Sequence, residues 1–379
     1  MRILFLITGL KLGGAERQVA ALAGRFVQDG HAVAIVSLTT GQEVTLDPRV
    51  EVRVLGMRKT PWSMLGALAG VRRFVRQWQP DVIHAHMVHA NLFARLLTRL
   101  GDFPPVICSA HSAQEGGRLR MLAYRATDGW DTLTTHVSAV ARQRMIEAGA
   151  MRPQRFEVMP NGIDMERFRP DAAVRVQTRA VLGIHANTAV ILNVGRLVPE
   201  KDQLTLIQAF ARMADQHDAR LLIAGEGPQR PALASAIDQH PGLAQRVALL
   251  GARDDVPALL NAADLFVLSS RVEGMPLVIG EAMACGLPVV ATDAPGVEEL
   301  LGGRGDIVPV GDADALARAI AGKLRLTSDG AAAEEAAGRR ARIERDFSLA
   351  AVAQRWLDIY AHLLRGTSPA RLSTTGKAE

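Results

Sequence analysis

Short runs rich in Val, Ile and Leu alternate along the chain with stretches whose apolar residues return every three or four positions. In the first half the runs are Ile3–Thr8, Ala32–Ser37, Val50–Leu55, Val82–Ala85, Val106–Ser109 and His136–Val137. Helical periods lie between them at Ala15–Gln28, Pro61–Gln77, Val88–Leu100, Leu119–Thr127 and Ala139–Ala148. The second half repeats the alternation. Its strands are expected at Val190–Val194, Arg220–Ala224, Val247–Leu250, Leu265–Leu268 and Pro288–Ala291, and its helices at Lys201–Gln216, Pro228–Gln239, Val256–Ala262 and Leu277–Cys285. Apolar runs this short predict strands buried on both faces, which a parallel sheet with crossover helices provides. The pattern predicts an α/β protein of two Rossmann-like, doubly wound parallel-sheet domains facing across a cleft. Such sheets bind ligands beyond the carboxyl ends of their strands, and a cleft between two of them suits a two-substrate reaction.

The length of 379 residues agrees with two domains. Their expected bounds are 1–170 and 171–346, followed by a helix over 347–365 whose apolar stripe of Trp356, Leu357 and Tyr360 has to dock on a neighbour. The polar tail 366–379 is expected to be disordered, and Met165–Arg179, charged and proline-interrupted, reads as the linker region. The net charge of +5 conceals an asymmetry: residues 1–186 carry 24 Lys and Arg against 15 Asp and Glu, a net +9, and the remainder carries a net −4. A change of sign in mid-chain suggests domains with different partners. The basic half suits a phosphorylated substrate or an anionic membrane surface. Aromatics at 4% are few for stacking on nucleic acid, which is not expected as a partner. Cys108 and Cys285 lie far apart and outside any Cys/His cluster, which excludes a disulfide scaffold or zinc ribbon and fits a reducing, cytoplasmic setting. The apolar run Ile3–Ile7 is too short for a signal peptide or a span, so no membrane crossing is expected.

Candidate chemistry gathers at strand ends. The first strand leads into Gly9-Leu10-Lys11-Leu12-Gly13-Gly14-Ala15-Glu16 and then a helix. Paired glycines there let a phosphate approach the backbone, although a tight turn without a ligand reads the same way. After Val190–Val194 come Gly195-Arg196 and, five residues on, Lys201. Two cations beside a helix N-terminus suit a diphosphate; as solvated surface charges they would mean nothing. Glu273 and Glu281 stand eight apart in Glu273-Gly274-Met275-Pro276-Leu277-Val278-Ile279-Gly280-Glu281, the first in a loop and the second inside an apolar helix with Pro276 at its first position. A carboxylate there needs a partner, and ribose hydroxyls or a salt bridge would serve. His84, His86 and His89 follow the strand at Val82, and their spacing does not impose the convergence a zinc ion requires. The helix at 61–77 is basic and amphipathic. Trp62, Leu65, Leu68 and Phe74 or Val75 can share one stripe apart from Arg72, Arg73 and Arg76, as on an interfacial helix or an ordinary sheet-covering one.

Taken in order, Gly13-Gly14-Ala15-Glu16, His84-Ala85-His86, Ser109-Ala110-His111, Val137-Ser138, Pro160-Asn161-Gly162-Ile163-Asp164, Gly195-Arg196 with Glu200-Lys201-Asp202, Gly225-Glu226-Gly227-Pro228 and the pair Glu273/Glu281 resemble the retaining glycosyltransferases of the GT-B fold in the large family numbered four. The resemblance extends from the first strand to about residue 365 and implies that the helix over 347–365 crosses back onto the N-terminal domain. It implies that Arg196 and Lys201 hold and neutralise the leaving diphosphate, that Glu281 binds ribose, and that Glu273 faces the donor sugar. It further implies that backbone at Gly13, Gly14, Gly274, Met275, Pro276 and Leu277 approaches phosphates and sugar, and that His111 lies beside the sugar. His84, His86 and His89 fall on the acceptor side. The implied reaction is metal-independent transfer of a sugar, with retention, from a nucleotide-diphosphate donor, expected to be UDP-linked, to a hydroxyl of a glycan or polyprenyl-diphosphate-linked acceptor. Cell-surface polysaccharide biosynthesis on the inner face of the membrane is the implied setting. The nucleotide sugar is then a substrate, and no cofactor is expected. The rival readings are a nucleotide-sugar epimerase of similar architecture and a non-enzymatic two-domain ligand-binding protein. A nicotinamide dehydrogenase is disfavoured because no G-x-G-x-x-G follows a strand.

Overall fold

A computed structural model describes residues 1–11, 13–111, 117–240, 242–326 and 331–366. The chain forms two compact units, one of Met1–Gly162 with Leu349–Glu379 and one of Ile163–Ser348. The break falls at Gly162, ahead of the expected residue 170. Of the tail expected to be disordered, all but Gly366 lies outside the described residues.

The first unit runs β1 (Arg2–Ile7), α1 (Gly14–Gln28), β2 (Ala32–Ser37), β3 (Glu51–Val54), α2 (Pro61–Trp78), β4 (Val82–His86), α3 (Val88–Leu97), β5 (Val106–Ala110), α4 (Arg118–Ala126), β6 (Leu133–His136), α5 (Ala139–Glu147) and β7 (Phe156–Val158). The second runs α6 (Ala172–Val181), β8 (Ala189–Val194), α7 (Gln203–Met213), β9 (Ala219–Ala224), α8 (Arg230–Asp238), β10 (Val247–Gly251), α9 (Val256–Ala262), β11 (Leu265–Leu268), α10 (Leu277–Ala284), β12 (Val289–Thr292), α11 (Val297–Leu301), β13 (Asp306–Val308), α12 (Ala313–Leu326) and α13 (Ala331–Phe347). The last helix, α14 (Leu349–Leu364), belongs to the first unit.

Both sheets are parallel and doubly wound. The first has the order β3-β2-β1-β4-β5-β6-β7 and the second β10-β9-β8-β11-β12-β13. The winding reverses between β1 and β4 in one and between β8 and β11 in the other, and at such switch points neighbouring loops part beyond the strand ends. Alternation along β1 sorts the core of the first unit. Ile3, Phe5 and Ile7 pack with α1 and with Trp356, Ile359 and Tyr360 of α14, while Leu4 and Leu6 pack with Val71 and Val75 of α2 and with Phe93 of α3.

Three expectations are corrected. The stretch read as a linker contains α6, held by ions more than by an apolar stripe: Arg175 and Arg179 reach Asp264 at 2.5 and 3.2 Å. The sixth strand begins at Leu133, ahead of the expected His136. The expected stripe on α2 is broken, since Ala67, Val71 and Val75 are buried while Trp62 and Leu65 are 83% and 57% exposed. Among the described residues no helix is long and apolar enough to cross a membrane.

Candidate active site

In the second unit the switch-point loops follow β8 and β11. Gly195 and Arg196 leave β8, and a 3-10 turn over Pro199–Lys201 precedes α7, so Lys201 stands just before that helix and not within its first turn as expected. Asp202 then takes a left-handed backbone at φ +46°, uncommon outside glycine but most accessible to Asn and Asp. Three contacts staple the β11 loop to this turn: Arg271 pairs with Asp202 at 2.8 Å, the Arg271 amide donates to the Glu200 carbonyl at 2.8 Å, and Ser269 Oγ donates to the Lys201 carbonyl at 2.9 Å. The stapling brings Lys201 Nζ into an ion pair with Oε1 of Glu273, whose carboxylate is largely buried. A buried carboxylate without that partner would be costly, so the two residues define one position. The Arg196 guanidinium is exposed and makes no ion pair among the described residues.

Glu281 lies inside α10, largely buried. One turn on, the Cys285 thiol is pushed up to about 12, first by burial and then by the Glu281 carboxylate. Helix α10 begins at Leu277, with Pro276 capping it and not inside it.

Backbone proximity explains the glycines here. A Cβ on Gly225 would fall 1.9 Å from the Gly195 carbonyl oxygen, and one on Gly227 would fall 2.3 Å from that of Leu197. The β9–α8 turn is therefore pressed beneath the Arg196 loop and joined to it by Leu197 N–H to Glu226 O at 2.9 Å. Gly296, at φ +78°, likewise abuts the Gly274 carbonyl. Arg271, Asp202 and Ser269 did not emerge as site residues from the sequence, because their role is to hold one loop on another.

In the first unit the switch point lies between β1 and β4. Gly13 caps α1, and a Cβ there would fall 2.3 Å from Oε2 of Glu16, so the carboxylate lies over the glycine at the helix's positive end. His84 and His86 share one face of β4 with ring centroids 4.0 Å apart. His84 Nδ1 meets the Tyr360 hydroxyl of α14 at 2.7 Å, and its Nε2 meets Ser109 Oγ at 2.7 Å. His86 Nδ1 meets His111 Nε2 at 2.9 Å. Burial holds His84 and His86 well below the usual imidazole range, and burial together with His136 lowers His111 to about 3. All three are neutral at ordinary pH.

The grouping of His84, His86 and His89 on the acceptor side needs correction. His84 and His86 are 0% and 1% exposed, so they lie behind the surface, and of the three only His89 reaches it. Burial, with the nearby charges of Arg120 and Lys59, lowers the pKa of His89. Among the described residues no three His, Cys, Asp or Glu side chains are grouped to hold a metal ion.

Doubly wound sheets with a glycine turn at one switch point, and an open arginine beside a lysine–glutamate pair at the other, are of the class of α/β folds that take phosphorylated ligands beyond their strand ends. Comparison with known proteins narrows the class. The family model "Glycosyltransferase Family 4" matches residues 12–167, and "Glycosyl transferases group 1" matches residues 188–325. Over 275 residues the chain is 28% identical to an Escherichia coli UDP-Gal:alpha-D-GlcNAc-diphosphoundecaprenol alpha-1,3-galactosyltransferase, covering 69% of this chain and 70% of that one. Over 258 residues it is 34% identical to the GDP-mannose-dependent alpha-(1-6)-phosphatidylinositol monomannoside mannosyltransferase of Mycobacterium tuberculosis, covering 64% and 66%. The solved structure of HepE from Anabaena in complex with UDP-glucose superposes with a TM-score of 0.81 at 26% identity, covering 95% of this chain and 99% of that one. The chain belongs to the GT-B-fold glycosyltransferases of the family 1/4 superfamily.

Proposed function

We propose that the protein transfers a sugar, with retention of configuration, from a UDP-linked donor to a hydroxyl of a glycan or polyprenyl-diphosphate-linked acceptor. The observation that carries this reading is the switch point of the second unit, where Lys201 is fixed against Glu273 next to the open Arg196. As the bond from the sugar's anomeric carbon to the diphosphate breaks, its electron pair goes to the leaving phosphate oxygen, the acceptor oxygen bonds to the anomeric carbon, and the acceptor's hydroxyl proton passes to the departing diphosphate. Arg196 and Lys201 stabilise that charge, and fixed cations count most where charge develops. Glu281, placed on α10, holds the ribose hydroxyls, and Glu273 orients the lysine and faces the sugar. Backbone at Gly274, Met275, Pro276 and Leu277 completes the donor site, and Gly13 and Gly14 offer amides to a phosphate. His111 touches the transferred sugar, and His89 stands toward the acceptor.

The choice of UDP is supported by the galactosyltransferase named for UDP-Gal and by HepE solved with UDP-glucose, and the mannosyltransferase named for GDP-mannose makes GDP the competitor. A lipid-linked acceptor is supported by the names of the first and third of these relatives' substrates, diphosphoundecaprenol and phosphatidylinositol monomannoside. Work on such an acceptor places the protein at the inner face of the membrane in cell-surface polysaccharide synthesis. The surface we assign to membrane contact is the start of α2, where Trp62, Met64 and Leu65 are exposed beside Arg58 and Lys59. The test is a panel of UDP- and GDP-sugars, with and without acceptor, followed by nucleoside diphosphate release. UDP release that rises with a lipid-linked glycan is expected. Conversion of the sugar without any acceptor would instead indicate an epimerase.

A further inference from the structure

Gly280 stands in the middle of α10, one residue before Glu281, with an ordinary helical backbone. Glycine is a poor choice there, since it loses more freedom than alanine when a helix forms. What demands it is Ile163. A Cβ at position 280 would fall 2.8 Å from Cδ1 and 2.9 Å from Cγ1 of that side chain. Carbon atoms pack at roughly 3.5–4.0 Å, so an alanine at 280 would have to push the two apart by roughly 0.6–1 Å.

Ile163 is poorly placed to yield. Its side chain is buried and, being β-branched, is stiff at χ1, so Cγ1 lies where the backbone puts it. That backbone is pinned on both sides. The Ile163 amide donates to the Phe347 carbonyl at 2.8 Å, in a parallel bridge with Ser348. Beyond it, Arg340 of α13 donates to the Met165 and Phe168 carbonyls at 3.3 and 2.9 Å. The same guanidinium donates to the Ala284 carbonyl, at 2.6 Å, in the last turn of α10. Gly280 and Ala284 are one turn apart, so the segment that opens the second unit is tied to α10 at two successive turns, directly and through Arg340.

We infer that Ile163, seated on Gly280, is a positioning residue that sets where α10 presents Glu281. A displacement of several tenths of an ångström is enough to weaken a hydrogen bond steeply, and it would carry the carboxylate with the helix. The inference rests on the reading that Glu281 holds the ribose hydroxyls, and it names what holds Glu281 in place for them.

The experiment is titration calorimetry of UDP on the full chain, with a melting curve for each protein. The higher helix propensity of alanine favours α10, so Gly280→Ala is expected to fold. It should weaken UDP binding about 10-fold, the scale of a hydrogen bond to a charged group. Adding Ile163→Ala, which removes both crowded carbons and leaves room for the new methyl, should bring affinity back to within about threefold of the unaltered protein. Ile163→Val clears Cδ1 and keeps Cγ1, so it should recover part of the loss, and it serves where the alanine pair melts too low to titrate. On Glu281→Gln, already weakened, Gly280→Ala should change affinity by less than about twofold, because both act through one contact. Unaltered affinity in Gly280→Ala would overturn the inference. So would a loss that neither change at Ile163 relieves, or one repeated in full on Glu281→Gln. Unaltered affinity in Glu281→Gln would strike the ribose reading and the inference with it, and is told apart because it appears with Gly280 untouched.

Discussion

The two units share one topology and put opposite chemistry at the same place in it. Both sheets reverse their winding beside the first strand, and both present loops there beyond the strand ends. The first unit fills this position with neutral imidazoles tied to one another and to α14. The second fills it with a lysine–glutamate pair and an open arginine, on loops stapled by Arg271 and Asp202. The net charges run the other way, since the basic half of the sequence carries the neutral switch point. On the proposed reading, local placement and not bulk charge decides where the anionic leaving group is handled. The fold provides two equivalent ledges, and a few side chains decide what each can do.

The sharpest way to break this contrast is to neutralise the charged ledge. Arg196→Ala or Lys201→Ala should each lower transfer by about 10²-fold or more, because each removes a cation from the developing charge. Unchanged rates in both would remove the second unit's assigned role. Glu281→Gln should weaken nucleotide binding about 10-fold, the usual scale for a hydrogen bond to a charged group, with the melting temperature unmoved. Calorimetry showing the reverse would make Glu281 a structural ion.

Acid should separate the units in the other direction. The histidines whose folded pKa is lowered, His31, His84, His86, His89 and His111, all lie in the first unit. Below 6.5 the unfolded chain binds protons there that the folded unit refuses, so stability falls with pH from 6.5 toward the folded value of about 3 at His111. His111, lowered to about 3, costs on the order of 2 kcal/mol by pH 5, and His84 and His86 act in the same direction. Hydrogen exchange, corrected for its intrinsic rate, should show β4 and β5 losing protection before β8 and β11; the opposite order would contradict the histidine account. The smallest effect belongs to α2. Trp62→Ala with Leu65→Ser should reduce co-sedimentation with anionic vesicles a few-fold, and several-fold higher salt should do the same to the unaltered protein. Equal recovery on neutral vesicles would end the membrane assignment.

The sequence announced what depends on neighbouring residues and concealed what depends on distant ones. Buried parallel strands such as β1 and β8 stand out because both of their faces are apolar. The three-residue edge strands β7 and β13 carry Glu157 and Asp306 and give no such signal. Helix α6 passed for a linker because its anchors are arginines bound to Asp264, which a hydrophobic period cannot register. Lys201 and Glu273 were each legible from motif order, but their pairing and the staple through Arg271 were not. His84 was misread for the same reason: the hydroxyl that buries it, on Tyr360, is 276 residues away.

The most direct test of the contrast between the ledges is titration calorimetry of UDP against the unaltered protein, Lys201→Ala and His86→Met, with the folded state of each checked by its melting curve. UDP binding should weaken at least about 10-fold in Lys201→Ala, as expected on losing a charge-assisted contact, and stay within a factor of two in His86→Met. Equal affinity in all three proteins, or loss confined to His86→Met, would contradict the assignment of the diphosphate to the second unit.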